Sequence, residues 1–528
     1  MITGKNYIGN KLSSSGNKTF TTFNPESNTE NYWKLYEASD AEVDEAMRLA
    51  HDAFKVYKTM PGRRKGDFLN HIALEIEALG DKLIKVYCEE TGLPEGRAKG
   101  ERARTVGQLR MFANLVEEGS WVQATIDTAL PDRAPMAKPD LRKMMLPLGP
   151  VVVFGASNFP LAYSTAGGDT ASALASGCPV VVKSHPMHAG TGELVASAII
   201  RAAEKTGMPN GVFSNLNSSG IEVGKKLVEH PLSKAIGFTG SIKGGRALYD
   251  MAANREEPIP VFAEMGSVNP VVFLPRALKE KGKTLAKTYA GSITLGAGQF
   301  CTNPGLLFAI DSVELDSFIE ELATEIVKVK PFCMLNPQIK KYYQANKSKV
   351  QSETGVQIKA SLDDSPDNYA NQALAIVSGS TFIVNKSLQN EVFGPFSMIV
   401  KCSSIKELES AITVLEGQLT GTIVSENNEI FYYKEVVAAL QNRVGRLIFN
   451  GVPTGVEVCS AMQHGGPYPA STDSRFGAVG SQAIYRWVRP VSFQNWPNEL
   501  LPLELQDDNP LEINRTLNGD LIQNNSKR

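Results

Sequence analysis

The chain has 528 residues, with 54 Lys plus Arg against 56 Asp plus Glu, so its formal net charge is −2. That length suits two or three domains, and the balanced charge offers no field to draw a polyanion, which sets aside a mini-scaffold and a nucleic-acid binder. Hydrophobic residues make up 42%, with 45 Gly and 29 Pro, which excludes collagen-like and disordered classes and leaves a packed, enzyme-sized protein.

The first 24 residues lack the apolar core of a secretory signal, and no stretch of about 18 apolar residues occurs. A cytoplasmic location with no membrane partner is therefore expected. The six cysteines, Cys88, Cys178, Cys301, Cys333, Cys402 and Cys459, stand singly, without the spacing of a zinc ribbon or a disulfide framework. From Asp40 onward, Val43, Met47, Ala50, Phe54 and Tyr57 recur at helical spacing behind a capping Ser39 or Asp40. From about 150 the pattern becomes short β-branched runs at 151–154, 179–183, 212–216 and 235–239, with helical segments at 164–176, 191–205 and 219–229 between them. This alternation predicts a parallel sheet with right-handed crossovers, buried on both faces.

A second series follows at 271–274, 306–310, 397–401, 421–425 and 446–450, with helices at 313–327 and 431–441. Two α/β domains dividing near residue 260 are expected. The Pro-rich segments 128–147 and 484–503 read as a pair of extended arms, and the polar end, 519–528, as disordered.

Four places could carry chemistry. Cys301 lies in the run GAGQFCTNPG, whose glycines permit close backbone approach to a bound molecule. Glu264 ends an apolar strand just before a Gly turn, a setting that raises a carboxylate's pKa and suits a general base. The turn Phe238-Thr239-Gly240-Ser241, between a strand and a helix, presents free amides to a phosphate. Asn158 follows the 151–154 strand, at the end where open α/β sheets bind ligands. His185 and His188 are separated by Pro186 and lack an acidic companion, so no metal site is expected, and the six histidines offer no obvious triad.

Taken together, SNFP at 157–160, PVVVK at 179–183, FTGS at 238–241, FAEMGSVNP at 262–270, GQFC at 298–301 and EVFGP at 391–395 resemble, in order, the motifs of the aldehyde dehydrogenase superfamily. The stretches KSHPMHAGTGE, FAEMGSVNP and HGGPYPASTD look like its NADP-preferring branch, which includes 2,5-dioxopentanoate (α-ketoglutaric semialdehyde) dehydrogenases. The resemblance implies an aldehyde dehydrogenase-like fold of two parallel-sheet α/β domains with a small β oligomerisation arm. It assigns 1–127 and 148–260 to dinucleotide binding, 261–460 to catalysis, and 128–147 with 484–503 to the arm of a homodimer or homotetramer.

The resemblance also implies roles. Cys301 is the nucleophile that passes through a thiohemiacetal and a thioester, Asn158 holds the oxyanion and Glu264 activates water. Lys183, Ser184 and His185 would meet the adenosine ribose, Thr239, Gly240 and Ser241 the pyrophosphate, and Glu391 and Phe393 the nicotinamide ribose. Many NAD-preferring members place a Glu three residues after the ribose lysine; here that position is Pro186, so NADP is expected over NAD. The expected substrate is α-ketoglutaric semialdehyde, with longer aliphatic aldehydes as the alternative; a coenzyme-A-acylating or a catalytically silent relative is the more distant one. No residue for the substrate's distal group emerges from the sequence.

Overall fold

A computed structural model describes residues 2–362, 365–426 and 428–523. One sheet is ordered Val261–Glu264, Ala235–Thr239, Val151–Phe154, Val180–Lys183, Phe213–Leu216, Asn6–Ile8 and Lys11–Ser13. Its first five strands run parallel, and the N-terminal hairpin closes the edge antiparallel. The second sheet is ordered Gln357–Ser361, Ala373–Ser378, Phe396–Cys402, Leu306–Ile310, Val271–Phe273, Gln418–Val424 and Val444–Phe449, parallel except for its first strand.

The strands are continuous apolar runs because helices cover both faces. Val180, Val181 and Val182 are all fully buried, each contributing about 1.5–3 kcal/mol on leaving water. The helix Asp40–Tyr57 starts where Ser39 and Glu42 form a reciprocal capping box, and it buries Val43, Met47 and Ala50. The helix Ala189–Thr206 stops at Gly207, whose φ of 64° closes a left-handed cap.

The chain changes sheets between Glu264 and Val271, a few residues beyond the expected 260. The strand Val261–Glu264 pairs with Ala235–Thr239, so it is the last strand of the first sheet rather than the start of the second unit. The helix expected over 164–176 forms only at Gly168–Ser176, after the tight turns around Asn158 and Tyr163. The arm segments pair with each other: Val488–Gln494 runs antiparallel to Leu141–Pro147. Thr125–Asp127, Arg515–Leu517 and Asp520–Ile522 extend that sheet. The end expected to be disordered from 519 therefore contains a strand at Asp520–Ile522; residues 524–528 lie outside the described residues. No described helix is long and apolar enough to cross a membrane.

Candidate active site

The site lies where the first sheet's strand ends meet the loop that leads into the second. Register alone brings Glu264 beside Thr239, and bridging to Ser471 with the Met265 N–H donating to the Ala470 carbonyl fixes the end of that strand.

Cys301 comes out of a sharply bent segment. Gly296, Ala297 and Gly298 are all left-handed, with φ of 56°, 56° and 66°. At Gly298 a Cβ would stand 2.2 Å from the Gly394 carbonyl oxygen, so only glycine admits that approach. The left-handed Ala297 is backbone strain of the kind that persists where surrounding structure over-determines it. Asn269, fully buried, donates from Nδ2 to the carbonyls of Cys301 at 2.8 Å and Asn303 at 2.9 Å, and so anchors the far side of the loop. The thiol is left partly accessible, whereas Cys178, Cys333 and Cys402 are buried.

Asn158 faces this loop, its Nδ2 donating to the Gln299 carbonyl at 3.0 Å. The amide is thus already aimed at the backbone two residues before Cys301. Arg97 stacks between Phe159 and Phe300, 4.4 and 4.6 Å from the ring centroids, and braces the two loops that carry Asn158 and Cys301.

The third partner of Cys301 is one that sequence reading did not find. His464 is buried, and its Nε2 lies 3.7 Å from Cys301 Sγ and 2.8 Å from Glu264 Oε1. The expectation of no triad among the histidines is therefore corrected: a thiol, an imidazole and a carboxylate share one point. Burial by itself disfavours the imidazolium, but the Glu264 carboxylate, together with Cys301, outweighs it and pushes His464 up to about 10. Because the folded pKa is raised from 6.5 to about 10, the pair's stabilisation is fully present below about pH 6.5 and is lost as pH rises towards 10. The three ligating atoms lie within 4.8 Å of one another, close enough for a thiophilic cation to compete for them.

The residues expected to hold a dinucleotide fall in two groups, those at the ends of the first sheet's strands Val180–Lys183 and Ala235–Thr239 and those of the segment 391–393. Lys183 ends its strand with Nζ donating to the Ser218 carbonyl at 2.8 Å. Burial pulls it down to about 8, with Glu37 acting the other way, so it is mostly charged at neutral pH. Ser184 Oγ is buried without a protein partner, a hydroxyl free for a ligand. His185 differs from expectation in kind: its Nδ1 accepts from the Met187 N–H, its ring stacks on His188, and burial holds it well below 6.5. It can offer a neutral ring N–H, not a charge. Ser241 caps the helix Ile242–Ala253, with Gly240 and Ser241 exposed at its N-terminus. Glu391 and Phe393 line one cleft with Ser267, Gly298 and Phe300. Burial pushes Glu391 up to about 7, against a lowering hydrogen bond from the Ser267 backbone. The absence of a side chain on Gly266 permits the approach of Glu391, whose Oε2 would be 2.3 Å from a Cβ there. This set fits a dinucleotide: a cation and an unpartnered hydroxyl at Lys183 and Ser184, an exposed helix N-terminus at Gly240 and Ser241, and a carboxyl and a ring in the cleft of Glu391 and Phe393.

Comparison with known proteins points the same way. A model described as the aldehyde dehydrogenase family matches residues 12–487. An α-ketoglutaric semialdehyde dehydrogenase 2 from Azospirillum brasilense is 49% identical over 483 residues, 91% of this chain and 92% of that one. An α-ketoglutaric semialdehyde dehydrogenase from Acinetobacter baylyi is 44% identical over 528 residues, 99% of each. Among solved structures, betaine aldehyde dehydrogenase from Staphylococcus aureus in complex with NAD+ superposes with a TM-score of 0.80 at 19% identity, covering 94% of this chain and 96% of that one.

Proposed function

The chain belongs to the aldehyde dehydrogenase family, and from that premise we propose that it oxidises α-ketoglutaric semialdehyde (2,5-dioxopentanoate) to 2-oxoglutarate, with NADP preferred and NAD weaker. The observation that carries the proposal is the convergence of Cys301, His464 and Glu264 at 3.7 and 2.8 Å, with the Asn158 amide on the adjoining loop. The substrate draws its support from two relatives of that name at 49% and 44% identity over nearly their full lengths.

The steps then follow from the residues. Cys301, beside the His464–Glu264 pair, attacks the aldehyde carbon through its sulfur and passes its thiol proton to that pair. Asn158 Nδ2 turns from the Gln299 carbonyl to the new oxyanion, whose charge it meets as a hydrogen-bond donor. A nicotinamide cofactor, which Lys183, Ser184, Gly240, Ser241, Glu391 and Phe393 would hold, would supply the hydride acceptor that oxidation of the tetrahedral carbon requires. A thioester on Cys301 remains. Glu264, with His464 beside it, takes the proton of the water that attacks this thioester, releasing the carboxylate and the free thiol.

For the cofactor, Lys183 Nζ and Ser184 Oγ support a 2′-phosphate, and Pro186 replaces the carboxylate that would repel one. A charge-assisted hydrogen bond of this kind is worth roughly 1.5–3 kcal/mol, so kcat/KM with NADP should exceed that with NAD by about tenfold or more. Steady-state kinetics with both cofactors, across α-ketoglutaric semialdehyde, succinic semialdehyde, pentanal and decanal, checks the whole reading. Higher efficiency with NAD, or with decanal than with the oxo acid, would overturn the corresponding half.

Assembly as a homodimer or homotetramer fits the arm sheet, whose outer strand leaves Leu521 and Ile522 exposed. Sedimentation at the monomer mass would contradict it.

A further inference from the structure

A substrate that ends in a carboxylate needs a cation at the far end of its pocket, and the surroundings of Tyr163 supply one. The Tyr163 ring lies 6.0 Å from that of His464. Its hydroxyl accepts from Arg104 Nη2 at 3.0 Å, and the Arg104 guanidinium stands 5.3 Å from the ring centroid. Arg104 projects from the long helix Glu95–Glu118, seven residues on from Arg97 and therefore on the same face.

Arg446 lies on the edge strand Val444–Phe449 of the second sheet. Its Nη1 and Nη2 donate to the carbonyls of Gly455 at 2.9 Å and Pro453 at 3.0 Å, which ties the loop preceding His464 to the strand. Its Nη1 also lies 3.9 Å from the sulfur of Met462, two residues before His464.

These arginines differ from the others around the site. Arg97 has Glu101 at 3.5 Å, whereas the partners of Arg104 and Arg446 among the described residues are all neutral: a phenol, two carbonyls and the Met462 sulfur. Nε of each is buried with no hydrogen-bond partner. Two partly buried cations without a counter-ion carry a desolvation cost that a ligand carboxylate would offset.

We propose that Arg104, with Arg446 as the second positive charge and Tyr163 as a hydroxyl between them, receives the distal carboxylate of the aldehyde substrate. The inference rests on the function proposed above and names its specificity determinant. Arg104 lies one aromatic ring beyond the imidazole that touches the nucleophile, and an extended five-carbon oxo acid carries its second carboxyl end roughly 6 Å from the reacting carbon, in the direction of a group beyond that imidazole. An alkyl tail in the same place would bury both guanidiniums without pairing either. The site therefore favours semialdehydes of short oxo acids and dicarboxylates over alkanals of equal length, by the same logic that lets a built polar site reject an analogue lacking the polar group.

The experiment compares kcat/KM for α-ketoglutaric semialdehyde and for pentanal in the wild type, Arg104→Met and Arg104→Lys, with NADPH binding followed by fluorescence as the check on folding. The ratio of the two efficiencies should fall about 30-fold or more in Arg104→Met, mostly through KM for the oxo acid, and recover in part in Arg104→Lys. A second readout is inhibition of pentanal oxidation by 2-oxoglutarate, which the wild type should show more strongly than inhibition by pentanoate. If Arg104→Met lowers both efficiencies equally while the wild type prefers the oxo acid, Arg104 is only structural and this inference fails alone. A wild type that ignores the semialdehyde, and is no better inhibited by 2-oxoglutarate than by pentanoate, sinks the substrate reading and this inference together.

Discussion

Replacing Cys301 by Ala should abolish NADPH formation, by about 10⁴-fold or more, because no other group at the site can form the covalent intermediate. The cysteine is set apart by geometry. It is the partly accessible thiol next to three consecutive left-handed residues, with an imidazole at 3.7 Å and an amide donor on the facing loop. Asn158→Ala removes only the oxyanion donor and should cost on the order of a hundredfold in turnover, roughly 3 kcal/mol, with cofactor binding unchanged. A graded outcome of this kind, assayed as initial rates of NADPH appearance, separates the nucleophile from its support. If Cys301→Ser kept near-normal turnover, covalent catalysis at this residue would be untenable.

The second large effect belongs to Glu264. Glu264→Gln keeps the shape but removes the base and the counter-ion of His464, so attack and oxidation proceed while thioester hydrolysis stalls. The expected signature is a burst of about one equivalent of NADPH followed by a steady state slower by about 10²–10⁴-fold. The same change takes away the charge that lifts His464 to about 10, so its pKa falls back towards or below 6.5. Stability that the pair contributes near neutral pH is then lost, and denaturant midpoints of wild type and variant should converge as pH rises towards 10. A slow phase without a burst would place Glu264 in the first half-reaction instead.

Much of this arrangement was legible because it is local. Strands such as Val151–Phe154 and Val180–Lys183 announce themselves as β-branched runs buried on both faces. The glycines ahead of Cys301 are required by positive φ and by the 2.2 Å approach at Gly298, and such requirements leave a mark in sequence.

What escaped is what the fold brings together from afar. His464 is 163 residues from Cys301, in a Gly- and Pro-rich loop where a lone histidine reads as turn dressing; only the return of that loop over the strand end of Glu264 makes it a partner. Arg104 on its helix is indistinguishable by spacing from Arg97 or Arg102, and becomes distinct through Tyr163, which a tight turn swings towards it. Glu37 acts on Lys183 although no acidic residue lies within the nine positions after that lysine, because it arrives from another part of the chain. The strand at Asp520–Ile522 was hidden for a related reason: it pairs with Arg515–Leu517, which is itself held by Thr125–Asp127 from hundreds of positions earlier.

The most direct test of the central claim is to mix Glu264→Gln enzyme with α-ketoglutaric semialdehyde and NADP, quench it within the burst, and determine the mass of its Cys301 peptide. Oxidation through a thioester predicts that this peptide carries the five-carbon oxo-acyl group, in step with NADPH formed. NADPH produced with the peptide unmodified, or with the acyl group on another residue, would contradict it.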